Sequence, residues 1–178
     1  MVRTRQYREF TPDPPSREQL DALLETARWT GSSRNAQPWR FILVRDPTVI
    51  GRIAHAGMTL TRSLQTASVA IAIVLPVDHG QAISLAFDEG RAAERILVAA
   101  SMLGLGAGVA WLRPEVRPLA GELLAIPEGW FVRTVMAVGH LSAGAPAPKS
   151  APGTARRPRD EVVFEDRWGS PAPRRSVG

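Results

Sequence analysis

A continuous apolar run in the middle of the chain constrains its fold most strongly. Residues 67–75 read Ala-Ser-Val-Ala-Ile-Ala-Ile-Val-Leu, so nearly all of them are Val, Ile or Ala. Such a run predicts a strand that is buried on both faces. With its apolar neighbours up to residue 77, it reaches only about half of the ~20 residues that a membrane-spanning helix needs. The sequence therefore predicts an α+β protein with a central sheet flanked by helices.

Helix signals lie on both sides of this run. Ser16 and Gln19 form a capping box, and apolar residues at helical spacing follow it. A long helix is predicted over 82–103. Its first half is amphipathic, and its second half, 96–103, is apolar almost all round, so we expect that half to be buried against a sheet or a second subunit. The other expected elements are strands at 39–45, 109–112 and 131–139 and helices that begin at 46 and 115.

The length and the C-terminal composition define the domain prediction. A chain of 178 residues suits one domain of ordinary size. After Leu141 the sequence is rich in Ala, Pro and Gly up to Pro158, which is typical of an extended segment. We predict a single domain over 1–178, in which residues 142–178 form an extended arm that could pack on a partner subunit.

Several functional classes are disfavoured by what the sequence contains. There is no cysteine, and the three histidines have no metal-ligand spacing, so we expect no metal site. The net charge of +5 is spread along the chain without a recognition motif, which disfavours nucleic acid but leaves a small phosphate-bearing ligand open. The N-terminus has no apolar signal core, so we expect a cytoplasmic protein with no membrane partner. The adjacent carboxylates at 88–89 and 160–161 are interpreted as solvated surface.

The glycine-rich turn at 104–108 does not predict a dinucleotide site. A Rossmann fingerprint needs a strand before its glycines and a helix after them, whereas here the predicted helix comes first. The phosphate of a ligand would have no helix N-terminus to bind. These glycines are interpreted as a helix cap followed by a close-packed turn.

A polar loop between the first helix and the first strand is the best candidate for a binding site. It presents two hydroxyls and two carboxamides, and Pro38 stiffens its exit. Carboxamides both donate and accept hydrogen bonds, which suits a ligand edge with alternating carbonyl and N–H groups. A hydrogen-bonded turn without a ligand explains the same residues equally well. The polar side chains are those of Ser32, Ser33, Asn35 and Gln37.

Together these stretches resemble the nitroreductase family of flavin enzymes. The most specific part is Ser-Ser-Arg-Asn-Ala-Gln-Pro-Trp at 32–39, preceded by Arg-Gln-Tyr-Arg-Glu-Phe at 5–10. The Gly-Leu-Gly turn with the strand at 110–112, the Ile-Pro-Glu-Gly turn at 126–129 and the tail at 156–163 are also similar. The resemblance covers essentially the whole chain in the same order. It implies a mostly antiparallel sheet and an FMN-binding homodimer with two active sites at the subunit interface.

The resemblance also implies a set of cofactor-binding residues. The basic N-terminal segment that holds the FMN phosphate and ribityl chain is matched by Arg3, Arg5 and Arg8. The loop that contacts the ribityl chain and the flavin ring is matched by Ser32, Ser33, Asn35 and Gln37. The strand end whose backbone N–H faces flavin N5 is matched by Trp111 and Leu112. The basic residue that completes the phosphate site is matched by Arg156.

The activity implied is that of an FMN-dependent oxidoreductase. NADH or NADPH would reduce the flavin, and a small-molecule acceptor such as a nitroaromatic or a quinone would reoxidise it by two-electron transfer. The chemistry is carried by flavin N5, so no side chain is predicted as a catalytic group. Two alternatives stay open: a non-catalytic module that stores or senses FMN, and a related enzyme that uses a deazaflavin donor.

Overall fold

A computed structural model describes residues 4–145 and 156–170 of the chain, which divides into two compact units, Met1–Pro146 and Ala147–Gly178. The described part of the first unit holds four helices and four strands. The helices are α1 (Arg17–Arg28), α2 (Pro47–Gly57), α3 (Ala82–Met102) and α4 (Arg117–Leu123). The strands are β1 (Arg40–Val44), β2 (Val69–Pro76), β3 (Gly106–Trp111) and β4 (Trp130–Gly139). In the second unit, a 3-10 turn covers Arg159–Glu161.

The four strands form one antiparallel sheet in the order β1-β2-β4-β3. The predicted α+β fold with a mostly antiparallel sheet is therefore confirmed. β2 and β4 are the central strands, and β1 and β3 lie at the two edges. No helix in the two described ranges is long and apolar enough to cross a membrane.

β2 is buried on both faces, as its apolar run predicts. Its odd-numbered residues, such as Ile71 and Ile73, pack in one cluster with α1 and α3. Its even-numbered residues, such as Ala72 and Val74, pack in a second cluster with α2 and α4. Because side chains alternate along a strand, one apolar strand contributes to both halves of the core.

Local signals set the ends of the helices. Ser16 and Gln19 form the predicted capping box at the start of α1. The side chain of Asp46 accepts a hydrogen bond from Thr48 N–H at the start of α2, where Pro47 is the first helical residue. Gly104 follows α3 with a φ of 73°, so the glycine turn is the predicted helix cap before a strand.

The prediction that Asp88 and Glu89 are solvated is wrong. Both residues lie in α3 and are only 2% exposed. They follow Leu85 and precede Ala92 and Ile96 at helical spacing, so they belong to the buried stripe of the helix rather than to its outer face. Residues 160 and 161, in contrast, are exposed as predicted.

The N-terminal segment packs along the free edge of β3. Tyr7 N–H donates to Ala107 O (2.9 Å), Thr11 N–H donates to His140 O (2.9 Å), and Phe10 forms an isolated bridge with Leu141. Gly108 allows this close approach, because a Cβ at that position would lie 2.0 Å from the carbonyl oxygen of Tyr7. The segment therefore runs antiparallel to β3, so that Arg5 lies towards the Trp111 end of the strand.

Replacing Gly108 by Ala should displace this segment. The new methyl group would meet the backbone of Tyr7, which has no rotamer to change, so we expect the free energy of unfolding to fall by about 1–3 kcal/mol in urea denaturation. Gly121 in α4 is the matched control, since nothing lies within 4 Å of a Cβ there. Its replacement by Ala should raise stability by up to about 1 kcal/mol. Equal effects of the two replacements would contradict the close packing at Gly108.

Candidate flavin site

The polar loop adopts an unusual backbone conformation. A 3-10 turn covers Ser33–Asn35, and the φ angles of Arg34, Asn35 and Gln37 are 52°, 56° and 47°. Non-glycine residues rarely adopt this left-handed region, and each costs of the order of 1–3 kcal/mol. Residues 33–37 are nevertheless exposed at their side chains. Strain of this kind at an exposed polar loop is typical of a ligand-binding segment.

Contacts from three sides hold the loop in this form. Ser33 N–H donates to both carboxylate oxygens of the buried Asp88, at 3.0 and 3.2 Å. Gln37 N–H donates to the hydroxyl oxygen of Ser32 (2.8 Å). Arg40 donates to the carbonyl oxygens of Gln37 (3.3 Å) and Trp39 (2.8 Å), and its guanidinium lies 5.1 Å from the ring centre of Trp130. The loop is therefore preformed.

A cavity of about 270 Å³ lies beside the loop. Its polar lining combines amide, hydroxyl, carboxylate and guanidinium groups with the indole of Trp130. A second, open groove of about 630 Å³ is lined by residues of α1 and β1 and shares Gln37 and Arg40 with the smaller cavity. The polar side chains around the smaller cavity are those of Ser33, Gln37, Arg40, Asp78, Gln81, Ser84 and Asp88.

Arg5, Arg8 and the predicted strand end lie along the other edge of the sheet. Arg5 Nε donates to the hydroxyl of Tyr7 (3.3 Å), and the Arg5 and Arg8 side chains are exposed. Arg8 contributes its carbonyl oxygen to a contact with the Thr66 hydroxyl (3.4 Å). These two arginines therefore belong to the segment that covers the β3 edge. Arg3 lies outside the described residues.

Only one of the two predicted strand-end residues directs its N–H towards the free edge. Leu112 is buried, and its N–H donates to Arg133 O (2.8 Å) in β4. Val109 N–H points the opposite way and donates to the side chain of Gln6 (3.4 Å). Since the backbone alternates, Trp111 N–H shares the direction of Val109. Trp111 also keeps 44% of its surface exposed.

Within one chain, the polar loop does not meet the strand end at Trp111, although both are parts of the predicted site. Arg40 in β1 pairs with Val74 in β2, which pairs with Val132 in β4. Trp111 in β3 pairs with Thr134, two residues further along β4. The loop and the strand end therefore lie at the same end of the sheet. They lie at opposite edges, however, with β2 and β4 between them. Three strand spacings amount to about 14 Å. Arg156 is exposed in the second unit, and its role as a phosphate ligand stays a prediction.

Known proteins resemble this chain in sequence and in fold. A family model described as the nitroreductase family matches residues 2–75, which include the N-terminal arginines, the polar loop and β1. A protein of Archaeoglobus fulgidus that carries the name of an NADH dehydrogenase/NAD(P)H nitroreductase is 33% identical in an alignment of 152 residues, which covers 79% of this chain and 83% of that protein. The chain belongs to the nitroreductase family.

Solved structures agree with this assignment. A protein of Clostridium acetobutylicum with the name of an NADH oxidase is 26% identical, has a TM-score of 0.71, and is covered over 87% of its length by 80% of this chain. An FMN-dependent nitroreductase of Clostridium difficile is 24% identical with a TM-score of 0.76, and the match covers 92% of this chain and 96% of that one. The prediction of an oxidoreductase of the nitroreductase family, a family of flavin enzymes, is confirmed.

In this nitroreductase-family chain, a buried ion pair supports the strand end. Glu89 in α3 accepts from Arg133 Nε (2.9 Å) and from Arg133 Nη2. The Arg133 guanidinium lies 5.1 Å from the ring centre of Trp111 and 5.8 Å from that of Phe131. Burial lowers the pKa of the nearby Arg117, and the charge of Arg133 lowers it further. Glu89 therefore compensates a crowded cationic cluster beneath Trp111.

Sequence reasoning missed Asp88, Glu89 and Arg133. The signal for the first two was their spacing from Leu85 and Ala92, which places them on the inner face of α3. Adjacent residues on a helix point about 100° apart, so Asp88 contacts the loop while Glu89 contacts β4. Nothing in the sequence indicates that the partner of Glu89 is Arg133, which lies 44 residues later.

Replacing Glu89 by Ala should strongly destabilise the protein. The guanidinium of Arg133 would stay largely buried without its carboxylate, so we expect the free energy of unfolding to fall by about 3–5 kcal/mol in urea denaturation. Replacing both residues by apolar ones, Glu89→Leu with Arg133→Met, should recover most of this loss. Asp21→Ala, which breaks an exposed pair with Arg17, should have a much smaller effect. An equal fall for Glu89→Ala and Asp21→Ala would contradict this role.

Proposed function

We propose that this chain is an FMN-dependent NAD(P)H oxidoreductase that reduces nitroaromatics, quinones or similar oxidised small molecules. The observation that carries the proposal is the preformed loop at 32–37, in which residues 33–37 are exposed and three residues have left-handed φ values. The names of relatives support both cofactors: one includes NAD(P)H, and one describes its protein as FMN-dependent.

The residues at the two edges fit FMN in their chemistry. The loop offers hydroxyls and carboxamides, which can both donate to and accept from the edge of a flavin ring. Arg5 and Arg8 offer guanidinium groups on the β3 edge, and guanidinium groups bind phosphate with two parallel hydrogen bonds. Trp111 offers a backbone N–H at the same edge. These groups together match a ligand with a polar ring, a hydroxylated chain and a phosphate.

In this proposal, the chain binds and orients the cofactor rather than reacting with the substrate. When bound, FMN supplies two-electron chemistry by hydride transfer at its N5 atom. Ser32, Ser33, Asn35 and Gln37 would fix the ring and the ribityl chain. Arg5 and Arg8, with Arg3 and Arg156 as further candidates, would hold the phosphate. Trp111 N–H would donate towards N5. Such groups stabilise charge by preorganised dipoles and cations.

We further propose that two copies of the chain form each site. The loop and the arginine-bearing edge lie about 14 Å apart, with the central strands between them. In a two-fold symmetric dimer, the loop of one chain can approach the β3 edge of the other, and the same contact recurs at the second site. The separation of the two edges favours a homodimer with two shared sites over a site within one chain.

Removing the Arg5 guanidinium should weaken FMN binding. A charge-assisted hydrogen bond contributes about 1.5–3 kcal/mol, so Arg5→Ala should raise the Kd about 10- to 100-fold in a titration followed by flavin fluorescence. Arg52→Ala, at an exposed position on α2, is the control and should leave the Kd unchanged. An unchanged Kd in Arg5→Ala would remove Arg5 from the phosphate site. A wild-type protein that binds no FMN would overturn the proposed function.

Electron transfer separates an enzyme from a storage protein. The FMN-loaded protein should lose its visible flavin absorbance when NADH or NADPH is added without oxygen, and a nitroaromatic or a quinone should restore it. Bound flavin that neither nucleotide reduces would contradict a NAD(P)H oxidoreductase. In that case, reduction by a deazaflavin would favour the alternative donor, and no reduction by any donor would favour storage.

A further inference from the structure

The side chain of Asp88 is a buried carboxylate directed at the loop. It is 2% exposed, and both of its oxygens accept from the backbone N–H of Ser33, at 3.0 and 3.2 Å. The nearest cation among the described residues is Arg91, whose Nη1 lies 3.9 Å from Oδ1, and the Arg91 side chain is about half exposed. Asp88 is not among the site residues predicted from the sequence, and the proposed FMN contacts do not include its carboxylate.

The carboxylate of Asp88 is buried with few groups to compensate its charge. Removing a charge from water is unfavourable unless hydrogen bonds or opposite charges replace the lost solvation. Here the replacement is one backbone N–H and a cation at the outer limit of an ion pair. An apolar side chain at position 88 would fit the inner stripe of α3 at lower electrostatic cost. The contact with Ser33 is therefore what the carboxylate contributes to the structure.

This contact holds the entry of the strained segment. The other two contacts of the loop, from Ser32 Oγ and Arg40, fix its exit at Gln37. Arg34 and Asn35 lie between these points with positive φ values. Of the described side chains, Asp88 is the one seen to bind the backbone at Ser33. Without it, the entry could relax towards ordinary conformations, and the side chains at 33–37 would change direction.

We propose that Asp88 is a positioning residue for the flavin. It acts through the backbone of Ser33, holding the loop in the conformation that presents Ser33, Asn35 and Gln37 before the ligand arrives. This inference rests on the proposed function, because FMN is the ligand that the preformed loop is proposed to bind. A preformed loop binds more tightly, since less conformational freedom is lost on binding.

The test compares two variants of Asp88 in FMN titrations. Asp88→Ala removes the acceptor, so the Kd for FMN should rise about 10- to 100-fold, and the absorbance bands of the bound flavin should shift towards those of free FMN. Asp88→Asn keeps a carbonyl oxygen that accepts from Ser33 N–H, so its Kd should stay within about 3-fold of wild type. Glu122→Gln, at an exposed position on α4, is the control for loss of a carboxylate charge.

A second pair of variants tests the contact from the other side and does not alter α3. Ser33→Pro removes the N–H at the first residue of the 3-10 turn, where proline is tolerated, and Ser32 before it is already extended (φ −132°, ψ 162°). Ser33→Ala removes the hydroxyl and keeps the N–H. We expect Ser33→Pro to weaken FMN binding at least about 10-fold more than Ser33→Ala. This pair decides the question if Asp88→Ala does not fold.

The outcomes separate the inference from the function. One set of results would overturn the role of Asp88 alone, provided that the wild-type protein binds FMN. In that set, Asp88→Ala has the Kd and flavin spectrum of the wild type, and Ser33→Pro and Ser33→Ala have equal Kd values. A loss of thermal stability in Asp88→Ala with an unchanged Kd and spectrum would also overturn it, since the carboxylate would then be merely structural. Wild-type protein without FMN binding would overturn the proposed function and the inference with it.

Discussion

The burial of β2 on both faces is the constraint on which the rest of the structure depends. A strand with Ile71 and Ile73 on one side and Ala72 and Val74 on the other must be covered by two separate helical layers. The covering layers, α1 with α3 and α2 with α4, leave the two edges of the sheet to other segments. One edge strand follows the polar loop, and the N-terminal segment covers the other. The candidate site therefore lies at the edges because the centre of the sheet is fully occupied.

The helix α3 links this core to both halves of the site. Its inner stripe is apolar except at Asp88 and Glu89, and these two adjacent carboxylates diverge. Asp88 binds the backbone of the loop, whereas Glu89 binds Arg133 under the ring of Trp111. Burying a charge is unfavourable unless it is paired or hydrogen-bonded, and each of these carboxylates has such a partner. The same helix thus packs in the core, contacts the loop directly through Asp88, and contacts Arg133 of β4, next to Trp111, through Glu89.

Local and periodic features could be predicted from the sequence, whereas contacts between distant residues could not. The capping box at Ser16, the buried strand and the glycine cap after α3 all depend on neighbouring residues, and all are present. The polar side chains of the loop at 32–38 and their resemblance to the family predict a binding segment. Its left-handed backbone cannot be predicted from the loop residues alone, because one of the contacts that hold the loop comes from Asp88, which lies 55 residues after Ser33. The charge of Asp88 and Glu89 predicts an exposed position, whereas their helical spacing places both in the buried stripe of α3.

A mixture of two defective chains tests the shared site most directly. One variant, Arg5→Ala with Arg8→Ala, has a defective β3 edge, and the other, Asn35→Ala with Gln37→Ala, has a defective loop. Neither should retain FMN alone. If two chains form each site, unfolding and refolding equal amounts of the two variants together should restore about one quarter of wild-type FMN binding, because about half of the dimers are then mixed and one of the two sites in each mixed dimer is intact. FMN binding that stays at the level of the separate variants would contradict a site shared between chains.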